Sequence, residues 1–293
     1  MALLFLWTCS RILNSYCLHS RDGESDMEFL TGWHKDRYDS HDYLHKRGVY
    51  PLPDKFSNVH LLTPVRNQGN SSSCVGFGVG INLNSVKVGL GVFEEWCSPV
   101  YIYNGARFIE GTLPFDLGCY PKDALDWTLK NGILLEHFWP YNGFDRAAPS
   151  SARIKEADRY KGFAYYRCVD GVDGICDALS NGHLVSIGSP WFKEWMETDA
   201  CGRLAKPTNS SFEVGGHETC LYGYDRTEGV FCGANSWGTG WGLQGLYSMP
   251  FESIDIFKSR GGYDAHYITF TKDIDTNPSP NPGCSWSWLQ LFR

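Results

Sequence analysis

The sequence predicts an α+β fold, with helices in the first half of the chain and short strands in the second half. Two observations predict it. Residues 121–132 have a proline at their start, the apolar Ala124 and Trp127 on one face and a glycine at their end, which is typical of a helix. After His183, short apolar runs alternate with turn residues, which is typical of strands.

The individual elements follow from local patterns. We predict five strands, at residues 184–188, 219–224, 229–235, 245–249 and 267–270. Residues 191–196 suit a short helix. From Cys74 to about Val92 the chain is apolar on more than one side, as in a buried helix. Helix propensity is lowered by ~1 kcal/mol relative to alanine at each of Gly76, Gly78 and Gly80. This pattern alone therefore does not exclude a strand.

Composition excludes several classes of protein. The 293 residues are 42% hydrophobic and 20% charged, which is ordinary for a globular chain. The net charge is −7 and no basic block occurs, so nucleic acid is not an expected partner. No apolar run approaches the ~20 residues that span a bilayer, so we expect no membrane span.

The cysteines and the N-terminus leave the compartment open. Eleven cysteines would leave one thiol unpaired if all the others paired within the chain, but free intracellular cysteines would look the same. No cysteine or histidine cluster has zinc spacing, so we expect no metal site. The apolar run at residues 1–7 lacks a positive lead and fits a signal peptide poorly. Two alternatives stay open: export of the protein by this segment, and a true start of the chain at Met27.

Three segments together carry the residue types that thiol catalysis needs. They hold a cysteine, a histidine and an asparagine, with a glutamine six positions before the cysteine, at residues 65–74, 215–224 and 235–242. Taken singly, Cys74 and His217 would be ordinary core residues, Gln68 a surface amide and Asn235 a turn residue. Their joint occurrence indicates a catalytic site.

Each of these residues has a chemical role to fill. A thiol attacks as the thiolate, which a helix N-terminus and a neighbouring imidazolium both stabilise. Cys74 opens the predicted helix, and His217 would supply the imidazolium. The side-chain carbonyl of Asn235 can hold the histidine ring, with Trp237 covering that hydrogen bond. Gln68 and the backbone N–H of Cys74 would bind the oxyanion of a tetrahedral intermediate.

These segments resemble the papain/cathepsin family of cysteine peptidases, in its microbial-like branch. The match covers about residues 52–272, and its most specific part is Asn-Ser-Trp-Gly-Thr-Gly-Trp-Gly at 235–242. The resemblance favours the helix at Cys74. It implies a two-lobe fold in which the active-site cleft lies between a helical lobe (about 52–165) and a β-barrel-like lobe (about 166–272). It also implies a hydrolase that acts on polypeptide substrates without a cofactor.

The resemblance also sets the outer boundaries. Residues 1–50 read as a leader or extension, and within them residues 32–44 look like the extension that precedes the body in microbial relatives. Intramolecular inhibition of the enzyme by residues 1–50 is left open. The peptidase domain occupies 51–272, and a proline-rich tail follows at 273–293.

The chain departs from the family near the nucleophile. Ser71 stands where the family has a cysteine, so Cys119 is expected to be free, and the Gly-Gly that normally follows it is missing. This puts part of the substrate-binding wall in doubt. Glu218 follows His217 where a small residue is usual, and we expect it to face solvent. Two alternatives stay open: a catalytically inactive binding or inhibitory protein, and an acyl transferase or peptide ligase that uses the same residues.

Overall fold

The structure, a computed structural model, describes residues 30–270. The predictions for the N-terminal apolar run, for Met27 and for the tail at 273–293 lie outside this range. Within it the helices are α1 (Cys74–Gly89), α2 (Pro99–Glu110), α3 (Pro121–Asn131), α4 (Ser151–Ala157), α5 (Gly171–Ser180) and α6 (Ser253–Ser259). None of the helices in residues 30–270 is long and apolar enough to cross a bilayer.

The predicted helix at Cys74 is confirmed, because α1 begins at that residue. Close neighbours explain its glycines. A Cβ on Gly76 would lie 2.6 Å from the carbonyl oxygen of Pro99, and a Cβ on Gly78 would lie 2.8 Å from the side chain of Glu218. The small residues let α1 pack closely on both α2 and the sheet, which offsets their low helix propensity.

The predicted helix at 121–132 is also confirmed. α3 begins at Pro121 and is followed by Gly132, whose φ of 87° favours glycine. α2 begins in a related way. The side chain of Ser98 accepts a hydrogen bond from the backbone N–H of Tyr101, and Pro99 occupies the first turn.

The eight strands of residues 30–270 form one sheet. They are β1 (Leu44–His45), β2 (Lys55–Ser57), β3 (Phe163–Cys168), β4 (Val185–Phe192), β5 (Glu213–Asp225), β6 (Val230–Ala234), β7 (Leu246–Pro250) and β8 (Asp264–Phe270). Their order is β1-β3-β8-β4-β5-β6-β7, with β2 paired to β5. All five predicted strands lie in this sheet to within one residue, although β4, β5 and β8 are longer than predicted.

Two predictions about the second half are wrong. The sheet is not closed into a barrel, since within residues 30–270 no pairing joins β1 to β7. β1 has only two residues and offers too few backbone groups to close the edge. The prediction of a short helix at residues 191–196 is also wrong. Trp191 and Phe192 are buried at the end of the central strand β4, and only Lys193–Trp195 form one turn of 3₁₀ helix.

Two large hydrophobic clusters lie on either side of the predicted site. One contains Cys74 and is built mainly from the first three helices, with Val79, Ile102 and Leu125 among its members. The other contains Trp237 and is built mainly from the sheet and α5. The two halves of the predicted site therefore belong to different cores.

The described part of the N-terminal extension, residues 30–50, packs on this body. β1 runs parallel to β3, with Leu44 opposite Arg167. Closer to the N-terminus, Trp33 forms a parallel bridge with Cys119 and is only 8% exposed. The extension thus contacts both the sheet and the loop before α3.

The contact between α2 and α3 can be tested with one methyl group. A Cβ on Gly105 would lie 2.2 Å from the indole of Trp127, so Gly105→Ala should lower the free energy of unfolding by ~1–3 kcal/mol. The control is Gly80→Ala in α1. Its Cβ would meet only Ile102, at 3.6 Å, so helix propensity should raise stability by up to ~1 kcal/mol. Urea denaturation measures both changes, and equal effects would contradict the packing argument.

Candidate active site

Cys74 is the first residue of α1 and is fully buried. The free N–H groups of a helix N-terminus favour a thiolate. Burial opposes this and is the larger effect, since it raises the pKa of Cys74 to about 12. The backbone amides of Glu218, Gly32 and Val75 lower that pKa, whereas the carboxylate of Glu218 raises it. Cys74 is therefore a neutral thiol in this state.

His217 and Asn235 are brought together by the pairing of β5 and β6, in which Cys220 lies opposite Ala234. Nε2 of His217 lies 2.7 Å from Oδ1 of Asn235. The same oxygen accepts the backbone N–H of Ser236 at 2.7 Å, so it is the acceptor in both bonds and Nε2 carries the hydrogen. Burial lowers the pKa of His217 to about 4, while the bond to Asn235 raises it, so the ring is neutral at pH 7.

Two tryptophans enclose this pair. Trp237 lies against the His217 ring, with centroids 4.5 Å apart and planes tilted by 30°. Trp191 meets the same ring edge-on at 4.8 Å. Both indoles are buried, so they shield the hydrogen bond between His217 and Asn235 from water. The sequence singled out Trp237, whereas Trp191 gave no signal beyond its place in an aromatic run.

Gln68 is held between the two cores. Its backbone N–H donates to the carbonyl of Ser236 at 2.7 Å, and its Oε1 lies 2.6 Å from Oγ of that serine. Its Nε2 donates to the carbonyl of Ser71 at 2.7 Å and to the carbonyl of Leu30 at 3.1 Å. The donor predicted to bind an oxyanion therefore binds a carbonyl oxygen of the extension.

The extension runs between the two walls of the site and hydrogen-bonds to both. The backbone N–H groups of Gly32 and Trp33 both lie 2.8 Å from the carbonyl of Gly216. On the other side, the N–H of Cys119 donates to the carbonyl of Gly32 at 2.9 Å, and the N–H of His34 donates to the carbonyl of Cys119 at 3.1 Å. The wall that lacks the Gly-Gly pair therefore still binds a peptide backbone.

The structure does not pair Cys74 with His217. Within residues 30–270, Nδ1 of His217 is buried without a hydrogen-bond partner. The segment at residues 30–34 lies over Cys74, where the amide of Gly32 contributes to the pKa of the thiol. Gly32 also lies so close to Ser72 that a Cβ would come within 2.0 Å of that carbonyl oxygen. The site is occluded while this segment is in place.

Glu218 is not at the surface, so the prediction that it faces solvent is wrong. It is 1% exposed, and within the described residues neither carboxylate oxygen has a hydrogen-bond partner. β5 is a central strand covered by α1 on this side, which accounts for the burial. Burial raises the pKa of Glu218 well above its usual range, and the carboxylates of Asp36 and Asp264 add to that shift.

An ionic network fastens the extension. The guanidinium of Arg167 binds Asp36 at 3.1 Å and Asp42 at 3.0 Å, both from the extension, and Asp264 of β8 at 2.9 Å. Lys35 also binds Asp264. The pKa of Asp36 is raised to about 7 because burial and, after it, the Asp264 carboxylate outweigh the lowering effects of the Lys122 amide, Arg167 and Lys35.

The cysteines agree with the expectation for Cys119. Six cysteines of the described range are free and buried: Cys74, Cys97, Cys119, Cys168, Cys176 and Cys220. Cys201 and Cys232 are disulfide-bonded, which the sequence did not indicate. Residues 30–270 contain no group of three or more His, Cys, Asp or Glu side chains that could hold a metal ion.

Comparison with known sequences points in one direction. The family model described as "Papain family cysteine protease" matches residues 115–256. An uncharacterized peptidase C1-like protein of Acanthamoeba polyphaga mimivirus is 29% identical over 168 residues, which are 54% of each chain. Cysteine proteinase 1 of Entamoeba histolytica is 27% identical over 65% of this chain and 61% of its own length. The chain thus spans only part of these relatives.

Solved structures agree with this match. The crystal structure of xylellain, a cysteine protease from Xylella fastidiosa, superposes with a TM-score of 0.75 and is 25% identical, covering 83% of this chain and 96% of its own. The procathepsin B of Trypanosoma congolense superposes with a TM-score of 0.64 at 16% identity, covering 83% of this chain and 86% of its own, which shows the shared fold.

The burial of Cys74 predicts a characteristic pH dependence of alkylation. With a pKa of about 12, only about one thiol in 10⁴ is ionised at pH 8. The rate of modification by iodoacetamide should therefore rise about tenfold per pH unit from pH 7 to 9. Mass spectrometry of the Cys74 peptide in the full-length chain measures it, with the urea-unfolded chain as the reference. A rate that levels off below pH 8 would contradict the occluded state.

Proposed function

Because this chain belongs to the papain family of cysteine proteases, we propose that it is a cysteine peptidase that hydrolyses peptide bonds through an acyl-enzyme. One observation carries the proposal. The bond from Nε2 of His217 to Asn235 leaves Nδ1 as the basic nitrogen, and this atom is without a partner in the described residues. A base held in this tautomer is what a thiol nucleophile requires.

The proposed reaction begins when the extension leaves. Water then reaches Cys74 and His217, and the effects of burial on both pKa values diminish. His217 accepts the thiol proton at Nδ1, while Asn235 continues to accept the hydrogen of Nε2. The thiolate attacks the peptide carbonyl, His217 protonates the leaving amine, and a thioester forms. Water attacks the thioester with His217 as base, which releases the acid and restores the thiol.

Gln68 has a defined part in this scheme. We propose that its Nε2 and the backbone N–H of Cys74 bind the oxyanion that develops on the attacked carbonyl. We call the arrangement in which residues 30–34 cover the site the closed state. In this state Nε2 of Gln68 donates to the carbonyl of Leu30, so the extension supplies the acceptor at the predicted oxyanion position. Trp237 keeps its role as a cover over the hydrogen bond between His217 and Asn235.

We further propose that residues 1–50 inhibit this peptidase, on the strength of contacts made by residues 30–50. The backbone of Gly32 and Trp33 uses the hydrogen-bonding groups on both walls of the groove, so a substrate backbone cannot bind there at the same time. Arg167 of β3 binds Asp36 of the extension and Asp264 of β8, which fastens the extension to the sheet. Activity would then require the segment to be displaced or removed.

Relief of inhibition can be measured with a single substitution. Trp33→Ala removes a buried indole from the contact, so the extension should dock more weakly and kcat/KM for peptide cleavage should rise at least about tenfold. Tyr38→Ala is the matched control, since this side chain of the same segment is 93% exposed and should leave the rate unchanged. Equal rates in the wild type and both variants would remove the inhibitory role.

The nucleophile is tested in the Trp33→Ala background. Adding Cys74→Ala should abolish peptide cleavage and labelling by a thiol-directed epoxide, whereas Cys97→Ala, which alters another buried free cysteine, should retain both. Product analysis with an added amine distinguishes hydrolysis from transfer to that amine. Cleavage that persists without Cys74 would overturn the assignment, and labelling without any cleavage would favour an inactive binding protein.

A further inference from the structure

The segment that leads into Cys74 is held by a carboxylate from a distant part of the chain. We name residues 70–73 the nucleophile turn and residues 115–119 the wall segment. The backbone N–H of Ser72 donates to both carboxylate oxygens of Asp116, at 3.1 Å to Oδ2 and 3.2 Å to Oδ1. A hydrogen bond to a carboxylate is about twice as strong as one between neutral groups. Asp116 therefore joins the nucleophile turn to the wall segment across 44 positions of sequence.

Tyr103 of α2 extends this link along the wall segment. Its hydroxyl donates to Oδ1 of Asp116 at 2.6 Å and accepts the backbone N–H of Gly118 at 3.0 Å. Burial raises the pKa of Tyr103 well above its usual range, so the hydroxyl keeps its proton and remains a donor. One carboxylate and one hydroxyl thus connect the backbone of Ser72 with the backbone of Gly118.

A second residue of α2 fixes the same segment. Arg107 lies one helical turn after Tyr103, is fully buried, and donates to the carbonyl of Phe115 at 2.7 Å. Its guanidinium carbon lies 4.2 Å from the centroid of the Tyr103 ring. The backbone is therefore held on both sides of Asp116 by one face of a helix. This support determines where the Asp116 carboxylate meets the nucleophile turn.

The link lies beside the groove and is not covalent. A Cβ on Gly32 of the extension would lie 2.0 Å from the carbonyl oxygen of Ser72, so the nucleophile turn borders the bound backbone. The turn contains no cysteine, and Cys119 is a free thiol, so within residues 30–270 no disulfide joins the turn to the wall segment. The hydrogen bonds of Asp116 join them instead.

We infer that Asp116 is a positioning residue, which fixes the backbone N–H of Cys74 relative to the wall segment. Its part in peptide hydrolysis rests on the proposed function. The N–H of Cys74 is a proposed oxyanion donor, and the N–H and carbonyl of Cys119 bind the backbone of the extension. By holding Ser72, Asp116 sets the distance between the oxyanion donor and the groups that bind a peptide backbone. A misplacement of about 1 Å in such a site lowers a rate about 100-fold.

Hydrogen exchange tests the link without catalysis, in full-length chains that all carry Trp33→Ala. Asp116→Ala removes the acceptor, so the backbone amide of Ser72 should exchange at least about tenfold faster. The amide of Phe77, which donates to the carbonyl of Ser73 at 3.2 Å at the start of α1, should exchange faster as well. Asp116→Asn keeps one carbonyl oxygen as acceptor and should stay within about threefold of the parent.

Two tyrosines of α2 provide a matched pair of variants. Tyr103→Phe removes the hydroxyl that binds Asp116 and should speed exchange at Ser72 at least about threefold. Tyr101→Phe is the control, since the hydroxyl of Tyr101 is buried and has no hydrogen-bond partner in the described residues. This control should leave exchange at Ser72 unchanged.

Peptide cleavage and alkylation, measured on the same chains, separate positioning from a general loss of structure. Cleavage needs the oxyanion donors, whereas alkylation of Cys74 by iodoacetamide is a displacement at a saturated carbon and forms no oxyanion. Asp116→Ala should lower kcat/KM for a peptide at least about tenfold and change the alkylation rate less than about threefold. Asp116→Asn should recover most of the lost cleavage.

The outcomes distinguish the inference from the proposed function. Unchanged exchange at Ser72 in Asp116→Ala would overturn the inference, as would faster exchange with undiminished cleavage. Equal losses of cleavage and alkylation would also overturn it, because they would indicate a structural role alone. Faster exchange at Ser72 and Phe77, with no cleavage of any peptide even by the Trp33→Ala parent, would support the positioning of the Cys74 amide and overturn the proposed function alone.

Discussion

The closed state depends on one guanidinium that joins two parts of the chain. Arg167 in β3 binds Asp36 and Asp42 of the extension and Asp264 of β8. Charges this deeply buried are costly unless they are paired, so each carboxylate depends on the cation and the cation on the carboxylates. Because the network orders the segment just beyond Trp33, it also fixes the backbone that lies over Cys74. These ion pairs contain none of the proposed catalytic groups, yet they hold the segment that covers those groups.

Burial under this segment sets the protonation of the proposed catalytic pair. The helix N-terminus favours a thiolate at Cys74, yet burial outweighs it and keeps the thiol neutral. The same burial keeps His217 neutral, although Asn235 favours its charged form. The two residues are therefore held in the protonation states from which a thiolate–imidazolium pair is formed by one proton transfer. The closed structure preserves the geometry of the histidine while preventing the charge separation that attack requires.

The sequence predicted the parts of the site that short motifs define. The helix at Cys74 and the glycine-rich segment around Asn235 and Trp237 are both local patterns. The structure confirms the helix, and it places the Trp237 ring against His217. Glu218 could not be placed in this way. Its burial follows from α1 packing across a central strand, which depends on contacts between distant residues. The sequence analysis predicted a barrel-like lobe instead of an open sheet for a similar reason. Closure depends on whether the two edge strands pair, and the pattern of a single strand does not indicate this.

The contacts that hold the extension over the site converge on Asp264. Asp264 accepts hydrogen bonds from Trp33, Lys35 and Asp36, so all three are lost together when the segment leaves. Interactions in a shared network are not additive, because the loss of one partner weakens the others. The extension should therefore dock and release as a unit instead of separating residue by residue. A group that replaces only one of these three donors recovers part of the network, which is why the intact segment binds Asp264 better than any single part of it.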